Sequence, residues 1–324
     1  MGRLFGTSGI RGVYEKEVSP ESFLQLGLSL ATYLGNSGNV VVGRDPRLSG
    51  PVLESALVSG LLAGGCDASL AGIVPTPVLA LGTKLSKASL GVMITASHNP
   101  PEYNGLKCWS PDGMAYTPDA EAEIERIFFA KKWKTVDWEK IGNCVEVDLL
   151  SLYVEEIKSK LEFKSDLKVV VDCGNGAASI LTPFLLRSYG CKVITLNSNP
   201  DGKFPGRGLE PNEKNLRVLA KTVRELNADL GIAHDGDADR IAAVDERGRF
   251  LGDKLLALMA AAQVKKSGDV VVTTVDASMV VDDAVQGAGG RVVRTRVGDV
   301  AVAQEIVRKR GIFGGEPSGS WIFP

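Results

Sequence analysis

The sequence predicts an α/β protein of three tandem, similar domains with mixed, mostly parallel sheets. A pattern of apolar run, amphipathic run, glycine and second apolar run occurs three times. The apolar runs are short, continuous and valine-rich, as expected of strands covered on both faces and joined through helices. With 324 residues, the chain is also too long for one small core.

The first copy opens with Asn39-Val40-Val41-Val42-Gly43, continues as a helix from Pro51 to Ala63, turns at Gly65-Cys66 and ends in a strand from Ala68 to Ile73. In the second copy, Lys168-Val169-Val170-Val171-Asp172 precedes a helix from Ala177 to Tyr189, then Gly190-Cys191 and a strand from Lys192 to Leu196. The third runs from Asp269-Val270-Val271-Val272-Thr273 through a helix from Ser278 to Gln286 to Gly289-Gly290, then Arg291 to Thr295. The glycines stand where a helix C-cap is expected. Composition divides the chain at a polar stretch near Asp148 and again near Glu246-Arg247-Gly248. The expected domains are therefore 1–148, 149–248 (entered through a helical run from Ser151 to Leu161) and 249–324, the last incomplete.

Hydrophobic residues make up 44% and charged residues 23% of the chain, as in ordinary soluble globular proteins. A net charge of −2 points to neither a nucleic-acid footprint nor a polybasic membrane surface. The five cysteines are odd in number and form no C-x-x-C pair, which disfavours both a disulfide framework and a zinc site. Neither an apolar signal core nor a bilayer-spanning run is present, so a reduced, cytoplasmic location is expected.

The most informative stretch is Asp235-Gly236-Asp237-Ala238-Asp239-Arg240, set between the apolar runs Leu230 to Ala233 and Ile241 to Val244. A locally extended backbone would turn the three carboxylates to one face. Neighbours about 6.6 Å apart would repel by about 2.5 kcal/mol per pair at an effective dielectric near 20. A hard dication such as Mg²⁺ would remove that cost; a solvated acidic turn is the simpler alternative. An EF-hand also fits the acid spacing, including Glu246, but the glycine it needs at its sixth position is Arg240, and Ile241 to Asp245 reads as a strand.

Leu90 to Ile94 reads as a strand leading into Thr95-Ala96-Ser97-His98-Asn99-Pro100-Pro101, where two prolines and an asparagine force a turn. Ligands gather beyond the carboxyl ends of strands in open α/β sheets, so Ser97 stands where chemistry is expected; a turn-stabilising serine is the alternative. No G-x-S-x-G elbow surrounds it, and the adjacent His98 is too near in sequence to orient easily as its base. The chain's two histidines, His98 and His234, each abut one of these motifs. The stretch Asp172 to Ala177 is glycine-rich, but a dinucleotide fingerprint would need glycine at 179, which is serine.

Together with Thr7-Ser8-Gly9-Ile10-Arg11-Gly12, Asn104-Gly105-Leu106-Lys107 and Gly314-Gly315-Glu316-Pro317-Ser318-Gly319, these segments resemble the α-D-phosphohexomutase family: phosphoglucomutase, phosphomannomutase and phosphoglucosamine mutase. Five ordered motifs carry the resemblance over essentially the whole chain. It implies that hexose 1-phosphate and 6-phosphate interconvert through a phosphoserine at Ser97 and a bound 1,6-bisphosphate. It further implies that Asp235, Asp237 and Asp239 hold Mg²⁺ together with the phosphate on Ser97, and that Arg240 lies against that phosphate, where a guanidinium can bind two oxygens. Arg11 and Lys107 would flank the transferring group, Lys107 as general acid or base, which requires a lowered pKa. His98 would support the phosphoserine loop or take part beside it.

Glu316 and Ser318 would bind the sugar. Ser320, where many members have histidine, is a further candidate substrate contact, and Pro317 is uncommon in this loop. Family enzymes continue into a fourth domain that grips the non-transferring phosphate through an Arg-x-Ser-Gly-Thr-type loop, a sequence not found here. The expectation is that this domain is absent and that residues 1–324 by themselves bind Mg²⁺ and can carry phosphate on Ser97 but turn over poorly. The N-terminal motif favours phosphoglucosamine as substrate over phosphomannose or phosphoglucose. Two other readings stay open: a Mg²⁺-dependent phosphatase or other phosphotransferase, and an inactive fragment that only binds ligand. The expected partner is a hexose phosphate, with neither nucleic acid nor membrane, and a homo-oligomer is left open.

Overall fold

A computed structural model describes residues 4–6 and 9–324. Thr7 and Ser8 of the N-terminal motif lie outside the described residues. Three sheets follow one another along the chain, each mixed and mostly parallel apart from an antiparallel edge.

The first sheet is built from β1 (Ile10–Val13), α1 (Pro20–Tyr33), β2 (Asn39–Arg44), α2 (Gly50–Ala63), β3 (Asp67–Ile73), α3 (Thr76–Leu85), β4 (Leu90–Ile94), β5 (Tyr103–Trp109), α4 (Pro118–Ala130) and β6 (Cys144–Glu146). Its strand order is β1-β5-β4-β2-β3-β6. Val40, Val41 and Val42 of β2 are fully buried because β2 is paired on both edges and covered on both faces. One face packs against Phe23, Leu26 and Leu30 of α1 and Leu53, Leu57 and Leu61 of α2. The other, through Val41 and Met93, packs against Val78 and Leu79 of α3.

The second unit contains α5 (Leu149–Lys160), β7 (Lys168–Asp172), α6 (Thr182–Ser188), β8 (Lys192–Leu196), α7 (Arg217–Glu225), β9 (Leu230–His234) and β10 (Ile241–Asp245), with strand order β10-β9-β7-β8. Asp148 caps α5, accepting from the Ser151 N–H at 3.0 Å. Leu149 of this helix is buried in the same cluster as Val78 and Leu79, so α5 also completes the cover of the first sheet. The single helix expected from Ala177 to Tyr189 is instead a short 3₁₀ turn, Ala177–Ile180, followed by α6. Pro183, in the first turn of α6, has no N–H to continue a helix across that point, so a new helix starts there.

The third unit comprises α8 (Asp253–Gln263), β11 (Val270–Thr274), α9 (Val280–Gly287), β12 (Arg291–Thr295), α10 (Asp299–Lys309), β13 (Phe313–Gly315) and β14 (Trp321–Ile322), ordered β12-β11-β13-β14. Following α2, α6 and α9, Gly65, Gly190 and Gly289 take φ of +87°, +96° and +89°, the left-handed conformation that ends each helix and turns the chain back to the sheet.

One topological feature places the site. β4, β9 and β13 are each parallel to a central neighbour and antiparallel to the next strand, β5, β10 and β14 respectively. The three connections, 95–102, 235–240 and 316–320, therefore leave the carboxyl ends of equivalent strands, where α/β sheets collect ligands. Among the described residues, no helix is long and apolar enough to cross a membrane.

Candidate active site

Ser97 follows β4 by three residues and is buried, with φ of +51°, a conformation that non-glycine residues adopt only when their surroundings hold them there. Its N–H donates to Thr95 Oγ1 at 2.8 Å. Its hydroxyl donates to Asp235 Oδ2 at 2.7 Å, so the loops from the first and second sheets meet at one hydrogen bond.

The acidic segment is not extended, contrary to the sequence expectation. Ala238 has φ of +59°, and the chain reverses between the antiparallel strands β9 and β10. Reversal brings the carboxylates closer than an extended strand would. One oxygen from each of Asp235, Asp237 and Asp239 lies within 4.8 Å of the other two.

Asp237 and Asp239 are also met by a cation and a hydroxyl. Lys107, from β5, donates to Asp237 Oδ2 at 3.1 Å and to Asp239 Oδ2 at 2.6 Å. The Thr76 hydroxyl donates to Asp237 Oδ2 at 2.8 Å. Asp237 Oδ1 and Asp239 Oδ1 are buried without a hydrogen-bond partner among the described residues. Converging carboxylates with spare buried oxygens fit a hard divalent cation, which takes oxygen ligands and relieves both the repulsion and the unmet hydrogen-bonding capacity.

Burial raises Asp235, reinforced by the charges of Asp237 and Asp239. Burial also raises Asp239, with Asp237 adding to the effect. Asp237 moves the other way: burial is outweighed by the Lys107 charge and by hydrogen bonds from Thr76 and Lys107, which hold its carboxyl well below the usual range. Burial alone would lower Lys107, but Asp237 and Asp239 more than reverse this and keep the ammonium protonated. Lys107 is thus buried rather than a solvated surface lysine, and the two carboxylates beside it favour its ammonium form. In this arrangement it is a proton holder.

Arg11, His98, Asp239, Arg240, Glu316, Ser318 and Ser320 line one cleft of about 220 Å³ that Ser97 also reaches. Arg11 donates from Nη1 to Asn99 Oδ1 at 3.2 Å, while its Nε is buried without a partner among the described residues. His98 Nδ1 lies 3.4 Å from Ser97 Oγ. Burial, then the charges of Arg240 and Arg11, lowers His98 to about 4, so its ring is neutral near pH 7. Arg240 pairs with Glu210 at 3.3 Å, and its N–H donates to Asp235 Oδ1, also at 3.3 Å. Arg240 also bridges to Ser320, and the Ile241 N–H donates to the Gly319 carbonyl at 3.1 Å, which seats the third unit's loop against the second unit's hairpin.

Glu316 is buried and accepts from the Gly298 N–H at 2.8 Å. Burial raises its pKa, and the nearby charges of Asp299 and Asp276 push the same way. All the sequence-predicted residues therefore gather at this cleft or, for Asp235, Asp237 and Lys107, directly behind it. Sequence reasoning missed Thr76, Glu210, Asp276 and Asp299. Asp276, Gly298 and Asp299 lie just beyond the third copy's two strands, and that position was the available signal.

Comparison with known proteins is consistent along the chain. The family models described as phosphoglucomutase/phosphomannomutase, alpha/beta/alpha domains I, II and III, match residues 2–135, 151–248 and 251–324. A protein of Pyrococcus abyssi named "Probable phosphoglucosamine mutase" is 52% identical over 326 residues, covering 100% of this chain and 72% of its own length. A protein of the same name from Methanothermobacter thermautotrophicus is 52% identical over 323 residues, covering 99% and 71%. Among solved structures, a phosphoglucomutase/phosphomannomutase family protein from Burkholderia thailandensis superposes with a TM-score of 0.90 at 30% identity, over 99% of this chain and 72% of that one.

Proposed function

The chain belongs to the phosphoglucomutase/phosphomannomutase family and is a phosphohexomutase, and on that premise we propose that it acts on glucosamine phosphate through a phosphoryl group carried on Ser97. The hydrogen bond from Ser97 Oγ to Asp235 Oδ2 carries this reading, because it sets the phosphoryl carrier against the carboxylate cluster. The P–O bond to Ser97 breaks as one forms to a sugar hydroxyl, and the proton lost by that hydroxyl is balanced by one gained at the Ser97 oxygen. Turning the bisphosphate over lets its other phosphoryl group return to Ser97, leaving the isomeric monophosphate.

Asp235, Asp237 and Asp239, with an oxygen of the Ser97 phosphate, would hold Mg²⁺, whose contribution when bound is to neutralise charge on the phosphate oxygens. Arg240 and Arg11 face the cleft as guanidinium donors suited to phosphate oxygens, and the unpartnered Arg11 Nε has a donor to spare. Lys107 holds its proton beside Asp237 and Asp239, behind the transferring group. His98 supports the Ser97 hydroxyl as a neutral ring. Glu316, Ser318 and Ser320 offer acceptors and hydroxyls to the sugar ring from the third unit.

The aminosugar reading rests on the names of the relatives and on charge. Glu316, Asp276 and Asp299 all line the cleft, and their negative charge favours a sugar ammonium over the neutral hydroxyl that would replace it. The test is intact mass after incubation with Mg²⁺ and glucosamine 1,6-bisphosphate. One added phosphate that is missing from Ser97→Ala is expected; the same gain in both proteins refutes the role of Ser97. Uptake from the glucose bisphosphate as fast as from the glucosamine bisphosphate refutes the aminosugar preference.

A further inference from the structure

Arg47 lies outside the cleft yet is fully buried, and so is Asp45, two residues before it. Its guanidinium has five N–H donors, and every one is directed. Nε donates to Asp45 Oδ2 at 3.0 Å. Nη2 donates to the carbonyls of Ser97 at 2.9 Å and Asn99 at 2.7 Å. Nη1 donates to the carbonyls of Pro100 and, at 2.9 Å, Tyr103. Four carbonyls, three from the Ser97 loop and one from the first residue of β5, therefore converge on a single cation.

Asp45 extends the grip to the other side of Ser97. Its Oδ2 accepts from the Thr95 hydroxyl at 2.7 Å, and Thr95 Oγ1 accepts from the Ser97 N–H at 2.8 Å. Both backbone polar groups of Ser97 are thus tied, one directly and one through two side chains, to Arg47. A residue at φ of +51° needs this kind of over-determination to persist.

The same guanidinium faces the second unit. Its Cζ sits 5.2 Å from the centre of the Phe204 ring, and Arg47 bridges to Gly202. The 201–204 turn is anchored by the Asp201 N–H on the Asn175 carbonyl at 2.9 Å. Two residues on, the Ala177 N–H donates to the Gly236 carbonyl, inside the acidic loop, at 2.9 Å. Arg47 is therefore a node shared by the loop that carries Ser97 and the segment that supports Asp235.

We propose that Arg47, clamped by Phe204, is the positioning residue that sets Ser97 Oγ against the acidic loop across the junction of the first two units. Its own side chain neither lines the cleft nor touches the three aspartates, so it acts through the backbone of the Ser97 loop and through the 201–204 turn. The proposal rests on Ser97 being the phosphoryl carrier. A displacement of about 1 Å at a reacting atom can cost on the order of a hundredfold in rate. Lysine at 47 has three donors on a flexible stem and cannot reproduce the fork that holds these carbonyls.

The test follows phosphorylation of Ser97 in the chain by glucosamine 1,6-bisphosphate and Mg²⁺, read by intact mass against time and bisphosphate concentration. It compares wild type, Arg47→Lys and Phe204→Leu. Phe204→Leu keeps every hydrogen bond of Arg47 and removes only the aromatic clamp, so it reports even if Arg47→Lys fails to fold. The expected result is a maximal rate lowered about a hundredfold in Arg47→Lys and about tenfold in Phe204→Leu, with the half-saturating concentration within about threefold of wild type. A merely structural role would lower the melting temperature and leave the maximal rate of the folded fraction unchanged, and that result in Phe204→Leu overturns the proposal. Wild type that gains no phosphate overturns the phosphoserine reading and this proposal with it; wild type that gains phosphate no faster than Phe204→Leu overturns the positioning role alone.

Discussion

Replacing Lys107 by methionine should make the chain depend on a divalent cation for its stability. Three carboxylate oxygens within 4.8 Å of one another repel by about 3.5 kcal/mol per pair at an effective dielectric near 20. Lys107 offsets this with two contacts, at 3.1 and 2.6 Å, each worth about 5 to 6 kcal/mol on the same scale. The opposing sums are of similar size, so the ammonium balances the cluster when no dication is bound. Methionine fills a similar volume without charge and leaves the acids unbalanced, and breaking a buried pair in this way costs about 3 to 5 kcal/mol. Urea unfolding near pH 7 checks the claim. In EDTA the variant should unfold at clearly lower urea than wild type. In millimolar MgCl₂ most of the difference should disappear, because ligand at a hundred times its dissociation constant returns about 2.7 kcal/mol. Equal stability of the two proteins in EDTA, or equal gains from Mg²⁺, would refute the charge-balance argument.

Two further outcomes are expected. His98 and His234 are both lowered from 6.5 to about 4, chiefly by burial. Between those values the unfolded chain binds protons that the folded chain refuses, so stability should be lost as pH falls from about 6.5 to 4, and should fall less in His98→Gln; superimposable pH profiles from urea unfolding would count against the assignment. Gly319 has φ of +91°, and a Cβ there would lie 2.2 Å from the Ile241 carbonyl oxygen. Gly319→Ala should cost about 1 to 3 kcal/mol and raise the half-saturating sugar bisphosphate concentration, because it pries the Glu316 loop from the second unit; unchanged saturation would show that this seam does not position the sugar side.

The parts of the site that could be read from the sequence are those whose chemistry is local. Alternating acids between apolar runs, and a serine just beyond a valine-rich strand, place the two halves of the centre before any fold is known. Their meeting could not be read, because the Ser97–Asp235 hydrogen bond joins residues 138 positions apart. The spacing rule also assigned the acids an extended backbone, and a single left-handed alanine, Ala238, overturns it. The resemblance placed Lys107 beside the transferring group, but its ion pairs could not be read, because the partners come from another domain 130 and 132 positions on. The helix break at Pro183 was missed, because the apolar periodicity from Ala177 to Tyr189 masked the start signal that proline in a first turn supplies.

The repeat itself explains why three distant motifs converge. Each unit ends its parallel run with a strand that turns back antiparallel, so each offers one hairpin connection at the carboxyl end of its sheet. A single connection is too short to hold a phosphoryl carrier, a cation site and a sugar contact together. Three copies supply one candidate each for the proposed function: Ser97 from the first, the aspartates from the second, Glu316 from the third. The seams between them then set the geometry, the first through Arg47 and Phe204 and the second through the Ile241–Gly319 hydrogen bond. Substitutions at these seams should therefore change rate or saturation without removing any group that touches substrate, which separates placement from chemistry in this site.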